Sequence, residues 1–276
     1  MQIHVGFEFL LESGTPTPVV SVVRPREDLS RIGEERYAVT PDVPIHRYCD
    51  IFGNQVWRWT APAGSMRIAY HALAEVSGVP DPRLVELPGT PVEQLPDELL
   101  QYTLPSRYCP SDRVLDDAWG LFGAAPEGWA RVQAVCDWVH ANVAYGGQSG
   151  SSTTGYDTYA ERAGVCRDFA HVAVMFCRAL NIPARYICGY LPDIGVPPDG
   201  KPMDFHAWFE AYVGGGWRTF DARHNVPRIG RVVIARGRDA VDTAFLTTYG
   251  DSRLVELRVW ADEAEGNTTL EGMVDI

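Results

Sequence analysis

The sequence predicts an α+β protein in which an N-terminal β domain precedes a larger domain of helices and a strand hairpin. Three observations lead to this fold class. Apolar residues alternate at period two near the N-terminus, prolines crowd residues 80–105, and apolar residues recur at helical spacing after residue 110. A chain of 276 residues can bury one large core or two modest ones.

Residues 1–80 are predicted to form the β domain. Short apolar or aromatic runs occupy residues 18–23 and 50–60 in addition to the first strand, and turn residues such as Gly53 and Asn54 separate the runs. The alternating apolar residues of the first strand are Ile3, Val5, Phe7, Phe9 and Leu11. Short half-buried strands of this kind are expected to pack as a small sandwich.

Residues 81–105 are predicted to be a proline-rich linker. The prolines in and beside this stretch are Pro80, Pro82, Pro88, Pro91, Pro96 and Pro105. Proline lacks a backbone N–H and has a fixed φ, so neither a long helix nor a central strand is expected here. The second domain is therefore predicted at 106–262, with a C-terminal tail at 263–276.

Two helices are predicted at the start of the second domain. Ser111 and Asp112 can cap a short helix that ends near Gly123, and Pro126 can open a longer one. The apolar face of the longer helix consists of Trp129, Val132, Val135, Val139 and Val143. Residues 146–156 are rich in Gly and Ser, so a loop is predicted there.

Charge and composition exclude several classes of partner. Acidic residues number 36 against 24 basic ones, and no run of Lys or Arg occurs, so nucleic acid and membrane surfaces are not expected partners. The N-terminus lacks the basic and apolar segments of a secretory signal, so a cytoplasmic location is predicted. The six cysteines are thinly spread and form no C-x-x-C pair, so free thiols and no metal or other cofactor are predicted.

Cys166 is predicted to lie at the N-terminus of a helix. Gly164 ends the preceding turn, and the residues that then share one helical stripe are Phe169, Val172, Ala173, Phe176 and Leu180. The positive end of the helix dipole favours thiolate over thiol, and the first helical amides can donate to an oxyanion. The position suits a nucleophile.

A strand hairpin is predicted to bring His206 close to Asp221. Residues 204–213 alternate like a strand, three glycines form a turn, and residues 217–221 return. If Tyr212 pairs with Trp217, Asp221 lies diagonal to His206 on the same face, roughly 7–8 Å away between backbones. A slip of one residue in the register would separate the two.

Cys166, His206 and Asp221 in this order are typical of a cysteine-dependent catalytic triad. The thiolate would attack an amide or ester carbonyl, His206 would carry the proton, and Asp221 would orient the imidazole. The alternative for an isolated cysteine is a small buried thiol without catalysis. The combination of three residue types favours the catalytic interpretation.

Four sequence blocks carry a resemblance to a known family. They are Gly-Val-Cys-Arg-Asp-Phe-Ala-His around Cys166, Asn-Ile-Pro-Ala-Arg-Tyr-Ile-Cys-Gly-Tyr ending at Tyr190, Phe-His-Ala-Trp-Phe-Glu around His206, and Trp-Arg-Thr-Phe-Asp ending at Asp221. With these blocks the sequence resembles the transglutaminase-like superfamily. Residues 237–250 are similar to its bacterial cysteine protease branch, and the resemblance covers about residues 110–262.

The resemblance implies a papain-like transglutaminase core, in which the helix carrying the cysteine packs on an antiparallel sheet. It also implies the roles of nucleophile, base and orienting carboxylate for Cys166, His206 and Asp221. Animal transglutaminases have Trp directly after the nucleophile, whereas this chain has Arg167, and no acidic loop of EF-hand type occurs. Calcium-activated protein crosslinking is therefore not implied.

Further site residues are predicted less directly. Gln148 is a candidate for the second oxyanion donor, because it is an amide donor in the loop ahead of Cys166. Tyr190 and Trp208 are candidates for lining a substrate groove, although aromatics on half-buried strands more often belong to a core. His171 and Asp168 are expected to have structural roles.

Three functions remain open at this point. The main hypothesis is an amide hydrolase or acyl transferase that acts on peptide or protein substrates through an acyl-Cys166 intermediate. Transamidation or amide synthesis with an amine acceptor is an alternative, because no motif reports whether water is excluded from the second step. A non-catalytic scaffold of the same fold is the third. The oligomeric state is not predicted.

Overall fold

The computed structural model describes residues 1–28, 30–197, 200, 202–264 and 269–271. The strands that precede the first helix are β1 (Gln2–Ser13), β2 (Thr17–Ser21), β3 (Arg31–Thr40), β4 (His46–Cys49), β5 (Gln55–Ala61) and β6 (Gly64–Glu75). The middle of the chain contains α1 (Leu115–Phe122), α2 (Trp129–Asn142), β7 (Ala144–Tyr145), α3 (Gly155–Glu161), β8 (Ala163–Gly164) and α4 (Cys166–Ala179). The remaining strands are β9 (Ala184–Tyr190), β10 (His206–Val213), β11 (Gly216–Phe220), β12 (Val232–Gly237), β13 (Thr247–Thr248) and β14 (Ser252–Ala264).

The N-terminal strands and the last two strands of the chain form two four-stranded sheets, β14-β1-β6-β3 and β13-β2-β5-β4. The alternation predicted for the first strand is confirmed, because Ile3, Val5, Phe7, Phe9 and Leu11 are each no more than 1% exposed. These side chains share one apolar core with residues of the second sheet, such as Trp57 and Trp59. The packing of the two sheets on a common core is the expected sandwich.

The last strand of the chain pairs with the first. β14 lies antiparallel to β1 from Gln2 opposite Ala264 to Ser13 opposite Ser252, and β13 pairs with β2. The boundary predicted at residue 262 therefore does not separate two sheets, and residues 263–264 of the predicted tail continue β14. Local periodicity cannot name the partner of a strand edge, which is why the sequence did not predict this return. The rest of the tail, except 269–271, lies outside the described residues.

The proline-rich segment 81–105 contains only two short 3-10 helices, Val92–Gln94 and Asp97–Tyr102. This agrees with the expectation that prolines exclude a long helix or central strand. The segment packs on the second domain. The Asp81 N–H donates to the Arg228 carbonyl, and the Trp129 N–H donates to the Leu87 carbonyl.

Helix α4 is the central helix of the second domain. Its predicted apolar stripe is confirmed, since Phe169, Val172, Ala173, Phe176 and Leu180 are at most 3% exposed. The helix packs against β9 and β10 on one side and against the other helices elsewhere. Burying several side chains of this size contributes about 1.5–3 kcal/mol each, which fixes the direction of the helix start relative to the sheet.

Helix α3 was not predicted. The Gly- and Ser-rich segment 146–156 was expected to be a loop, but the helix begins at Gly155. Thr154 accepts a hydrogen bond from the Asp157 N–H, and the Asp157 carboxylate accepts one from the Thr154 N–H. This reciprocal capping box starts the helix within a sequence of low helical propensity.

The antiparallel sheet of the second domain has the strand order β11-β10-β9-β12. Tyr212 lies opposite Trp217, so the predicted register of the hairpin is confirmed. Gly214 and Gly215 adopt positive φ angles of 60° and 73° in the turn, a conformation that favours glycine. Ala207, Phe209 and Ala211 face α4, whereas Trp208 and Glu210 point to the other side of the sheet. Among the described residues, no helix is long and apolar enough to span a membrane.

Candidate active site

Cys166 is the first residue of α4, and its surroundings are set by the residues on either side. Val165 is extended and its N–H donates to the Asp168 carboxylate at 2.9 Å, so Asp168 closes the helix start. A Cβ at Gly164 would lie 2.7 Å from the Asp168 Cβ, so glycine is required before this cap. Asp168 is fully buried in this structural role.

The Cys166 sulfur lies close to the first residues of β10. The His206 side chain and the Ala207 backbone N–H lie beside the sulfur, and both favour its thiolate form. The Phe205 carbonyl oxygen lies 3.9 Å from the sulfur. The strand that carries the imidazole therefore also holds the thiol by its backbone.

Asp221 follows β11 directly and is bound on both carboxylate oxygens. His206 Nε2 lies 2.8 Å from Asp221 Oδ2, and the two side chains are 5% and 3% exposed. Arg231 Nη2 donates to the same oxygen at 3.1 Å. Oδ1 accepts the N–H groups of Arg223 and His224, each at 3.1 Å. The structure thus brings together His206 and Asp221, the two side chains that the hairpin register predicts to meet.

The electrostatics of this group favour a thiolate beside an imidazolium. Burial alone would raise the pKa of the Cys166 thiol, but the hydrogen bond and charge of His206 lower it below its usual value. Burial opposes the charged form of His206 as well, yet the Asp221 carboxylate raises the pKa of the imidazole. Despite burial, His206 and Arg231 hold the pKa of Asp221 well below the usual carboxyl range.

His224 lies near the same carboxylate without joining the pair. Its ring centroid is 4.9 Å from that of His206, but Asp221 accepts its backbone N–H rather than its ring. Burial lowers the pKa of His224 to about 3. Ligand atoms of His206, Asp221 and His224 lie within 4.8 Å of one another. However, both Asp221 oxygens already accept hydrogen bonds and the Arg231 cation is adjacent, so a metal cation is not favoured there.

Gln148 is exposed in the loop between β7 and α3. This loop flanks the start of α4, because Arg167 donates to the Ser149 hydroxyl and to the Gly150 carbonyl, each at 2.7 Å. The loop could approach a substrate carbonyl from this side. The role of Gln148 as second oxyanion donor stays a prediction.

The groove predicted at Tyr190 and Trp208 is not supported by their burial, which is complete for Tyr190 and leaves 1% of Trp208 exposed. Tyr190 packs against Phe205 in the apolar core of the sandwich. Trp208 stacks on the His206 ring at a centroid distance of 6.0 Å, and the Arg231 guanidinium lies 4.9 Å from its ring. The aromatic residues of both strands therefore serve packing, and the Trp208 ring stacks against the His206 imidazole.

Two residues of this site were missed by the sequence analysis, Arg231 and Asp81. Arg231 bridges the carboxylates of Asp221 and Asp81, at 3.1 Å and 2.8 Å. No spacing rule connects these positions, which lie on separate segments of the chain. The contact of Arg231 with the Asp221 carboxylate becomes visible only once the segment before β12 is placed.

Comparisons with known proteins agree with the family resemblance seen in the sequence. Residues 121–222 match the transglutaminase-like superfamily. A solved structure named "Putative Cysteine Protease" from Cytophaga hutchinsonii is 35% identical, with a TM-score of 0.87 over 98% of this chain and 92% of that one. An uncharacterized protein of Mycobacterium leprae is 27% identical over 220 residues, which cover 76% of this chain and 77% of the relative.

Proposed function

This chain belongs to the transglutaminase-like superfamily, and from that premise we propose that it is a cysteine-dependent amide hydrolase acting on peptide or protein substrates through an acyl-Cys166 intermediate. One observation carries the proposal. The His206 side chain lies 2.8 Å from the Asp221 carboxylate and interacts with the Cys166 thiol at the start of a helix, where it lowers the pKa of that thiol. This is the arrangement of a nucleophile, its base and the group that orients the base.

In the first step the Cys166 thiolate attacks the carbonyl carbon of the scissile amide. Because His206 Nε2 is engaged by Asp221, Nδ1 is the nitrogen left to exchange a proton at the sulfur. The tetrahedral oxyanion is stabilised by the first amides of α4, which have no partner within the helix. The imidazolium donates its proton to the leaving amine, the C–N bond breaks, and a thioester on Cys166 remains.

In the second step a water molecule attacks the thioester. Neutral His206 accepts one proton from the water, the C–S bond breaks, and the released carboxylic acid leaves a thiolate and an imidazolium. Asp221 fixes the ring orientation and stabilises its cationic form in both steps. The name of the Cytophaga hutchinsonii relative supports water as the acceptor. An amine in place of water would give transamidation instead.

The first test is the reactivity of the cysteines. Burial raises the pKa of the Cys109, Cys136, Cys177 and Cys188 thiols, whereas Cys49 is exposed on β4. Brief iodoacetamide treatment near pH 6, followed by peptide mapping, should label Cys166 faster than the exposed Cys49. His206→Ala should move Cys166 labelling to alkaline pH. Equal labelling of Cys49 and Cys166 in the parent would show that Cys166 is not activated.

The second test identifies the reaction. The protein is incubated with a panel of peptides in ¹⁸O-labelled water, with and without a primary amine, and the products are analysed by mass spectrometry. Hydrolysis predicts ¹⁸O in the new carboxylate and an acyl adduct on Cys166 at short times, both lost in Cys166→Ser. Amide products formed from the added amine would favour transamidation. No turnover and no adduct, with unreactive Cys166, would favour a non-catalytic scaffold.

A further inference from the structure

Arg231 has no assigned role in the reaction, although it touches the carboxylate that orients the base. Its side chain is 8% exposed and lies in the segment just before β12. Nη2 donates to Asp221 Oδ2 at 3.1 Å, the same oxygen that meets His206 Nε2 at 2.8 Å. The guanidinium therefore acts on the imidazole through a single shared oxygen atom.

The same Arg231 guanidinium is also bound by the proline-rich linker. Its Nε donates to Asp81 Oδ2 at 2.8 Å. Asp81 is itself fixed by two backbone contacts with Arg228, because its N–H donates to the Arg228 carbonyl at 2.9 Å and its carboxylate accepts the Arg228 N–H at 3.0 Å. An unbroken line of contacts thus runs from the linker through Arg231, Asp221 and His206 to Cys166.

We propose that Arg231 is a positioning residue for the His206–Asp221 pair, and that Asp81 in the linker is the counter-ion that holds Arg231 there. This inference rests on the proposed function, because it assigns a role toward the same base. A bare cation beside Asp221 would compete with His206 for the carboxylate. A cation whose charge is shared with Asp81 can lock the Oδ2 position while leaving Asp221 able to stabilise an imidazolium.

Removing the charge of Arg231 and removing the charge of Asp81 are expected to shift the His206 pKa in opposite directions. Removing the Arg231 charge leaves Asp221 unopposed, while Asp221 Oδ1 stays anchored by the N–H groups of Arg223 and His224. The imidazolium of His206 then becomes more stable and its pKa rises. Neutralising Asp81 leaves the Arg231 charge unopposed, so the His206 pKa falls. General loosening of the fold would move both variants in the same direction.

Other charged and titratable groups near the pair are common to all variants and do not reverse these signs. They are Cys166 of α4, Cys136 of α2, Arg223 and His224 after β11, and Arg228 before β12. A cavity of about 320 Å³ beside Arg231 is lined by Asp81, Trp208 and Arg228 among others. Its size allows a small cation to replace a deleted guanidinium.

The experiment measures the His206 pKa by NMR of histidine-labelled protein, with His206→Gln to assign the signal. Arg231→Met should raise the His206 pKa by on the order of one pH unit, and Asp81→Asn should lower it by less. Arg231→Ala should likewise raise the His206 pKa. Added guanidinium ion should return this pKa toward the value of the parent, whereas urea, which has no charge, should not. Arg236→Met is the matched control, because Arg236 on β12 is similarly buried but pairs with Asp28 and Glu210.

The outcomes separate this inference from the proposed function. The His206 pKa is measured on the free protein and needs no substrate. Activated Cys166 in the parent, with His206 pKa values that are unchanged or shifted alike in Arg231→Met and Asp81→Asn, would overturn the positioning role alone. An unactivated Cys166 together with the opposite shifts would overturn the proposed function while leaving the charge coupling in place.

Discussion

The His206 imidazole beside Cys166 and the histidine pair of the N-terminal sandwich face different partners. His206 faces the Asp221 carboxylate at 2.8 Å, whereas His71 Nδ1 faces His4 Nε2 at 3.0 Å on the outer side of the β1–β6 pairing. Burial and the neighbouring His4 lower the pKa of His71 to about 4. At His206 the carboxylate outweighs burial and raises the pKa. Removal from water disfavours the charge in both regions, and the facing group decides the result.

The largest effect is expected when the carboxylate at His206 is replaced by a neutral group. In Asp221→Asn the side-chain amide can donate to Nε2, which puts the ring proton on Nδ1 and prevents the ring from accepting the thiol proton. Turnover should fall by about 10⁴-fold, as for the same change in a serine protease triad. The His206 pKa, followed by NMR, should fall toward that of His71.

Asp193→Asn is the control for Asp221→Asn, because the Asp193 carboxylate binds the Arg228 side chain at 2.9 Å rather than an imidazole and is 37% exposed. Its turnover should stay within about twofold of the parent. If Asp221→Asn kept the rate of the parent, another group would orient His206, and the contrast between the two histidine regions would not explain reactivity.

A smaller effect is expected on stability in acid. The folded-state pKa of His71 is about 4 against 6.5 for the ordinary side chain, so the unfolded chain binds more protons between these values. The free energy of unfolding must therefore decrease as the pH falls from about 6.5 toward 4. For this partly exposed pair the loss should be about 1 kcal/mol after solvent screening.

His71→Gln tests the acid effect, because glutamine can bind His4 but does not titrate in this range. Chemical denaturation at pH 7 and pH 4.5 should show a smaller acid loss in His71→Gln than in the parent. The difference between the two proteins is the required measure, since burial also lowers the pKa of His171 and of His224 to about 3. An identical pH dependence would show that the pair is not responsible.

The smallest effect is expected at His224, which lies near Asp221 and donates its backbone N–H, rather than a ring N–H, to the carboxylate. Because its pKa is lowered to about 3, the ring is neutral near pH 7 and carries no charge to the site. His224→Gln should change turnover by less than about threefold and leave the His206 pKa nearly unmoved. A large loss would mean that nearness to the carboxylate, rather than direct hydrogen bonding, selects the working imidazole.

The sequence predicted the parts of the site that depend on local order. Cys166 could be placed at a helix start because Gly164 and the apolar stripe of α4 are adjacent in the chain. The His206–Asp221 contact could be predicted because a tight glycine turn fixes hairpin register, so one pairing determines all others. Both inferences connect residues that belong to one helix with its preceding turn or to one strand hairpin.

The parts that were missed depend on distant contacts or on side-chain chemistry that periodicity ignores. Arg231 and Asp81 meet across many residues, and nothing in either segment selects the other. The start of α3 depends on the reciprocal cap of Thr154 and Asp157 rather than on helical propensity. Tyr190 and Trp208 lie on strands whose two faces are both covered, so their type could not distinguish a groove from a core.

The pairing of β14 with β1 has a consequence for the order of events during protein synthesis. β1 can pair with β6 as soon as residue 75 has left the ribosome, but its other edge stays open until residue 264 has followed. During that interval the helices and the second sheet can form while an unpaired strand edge remains available to other chains. Chains that terminate early would keep this open edge, and we expect them to be the aggregation-prone and rapidly degraded products of translation.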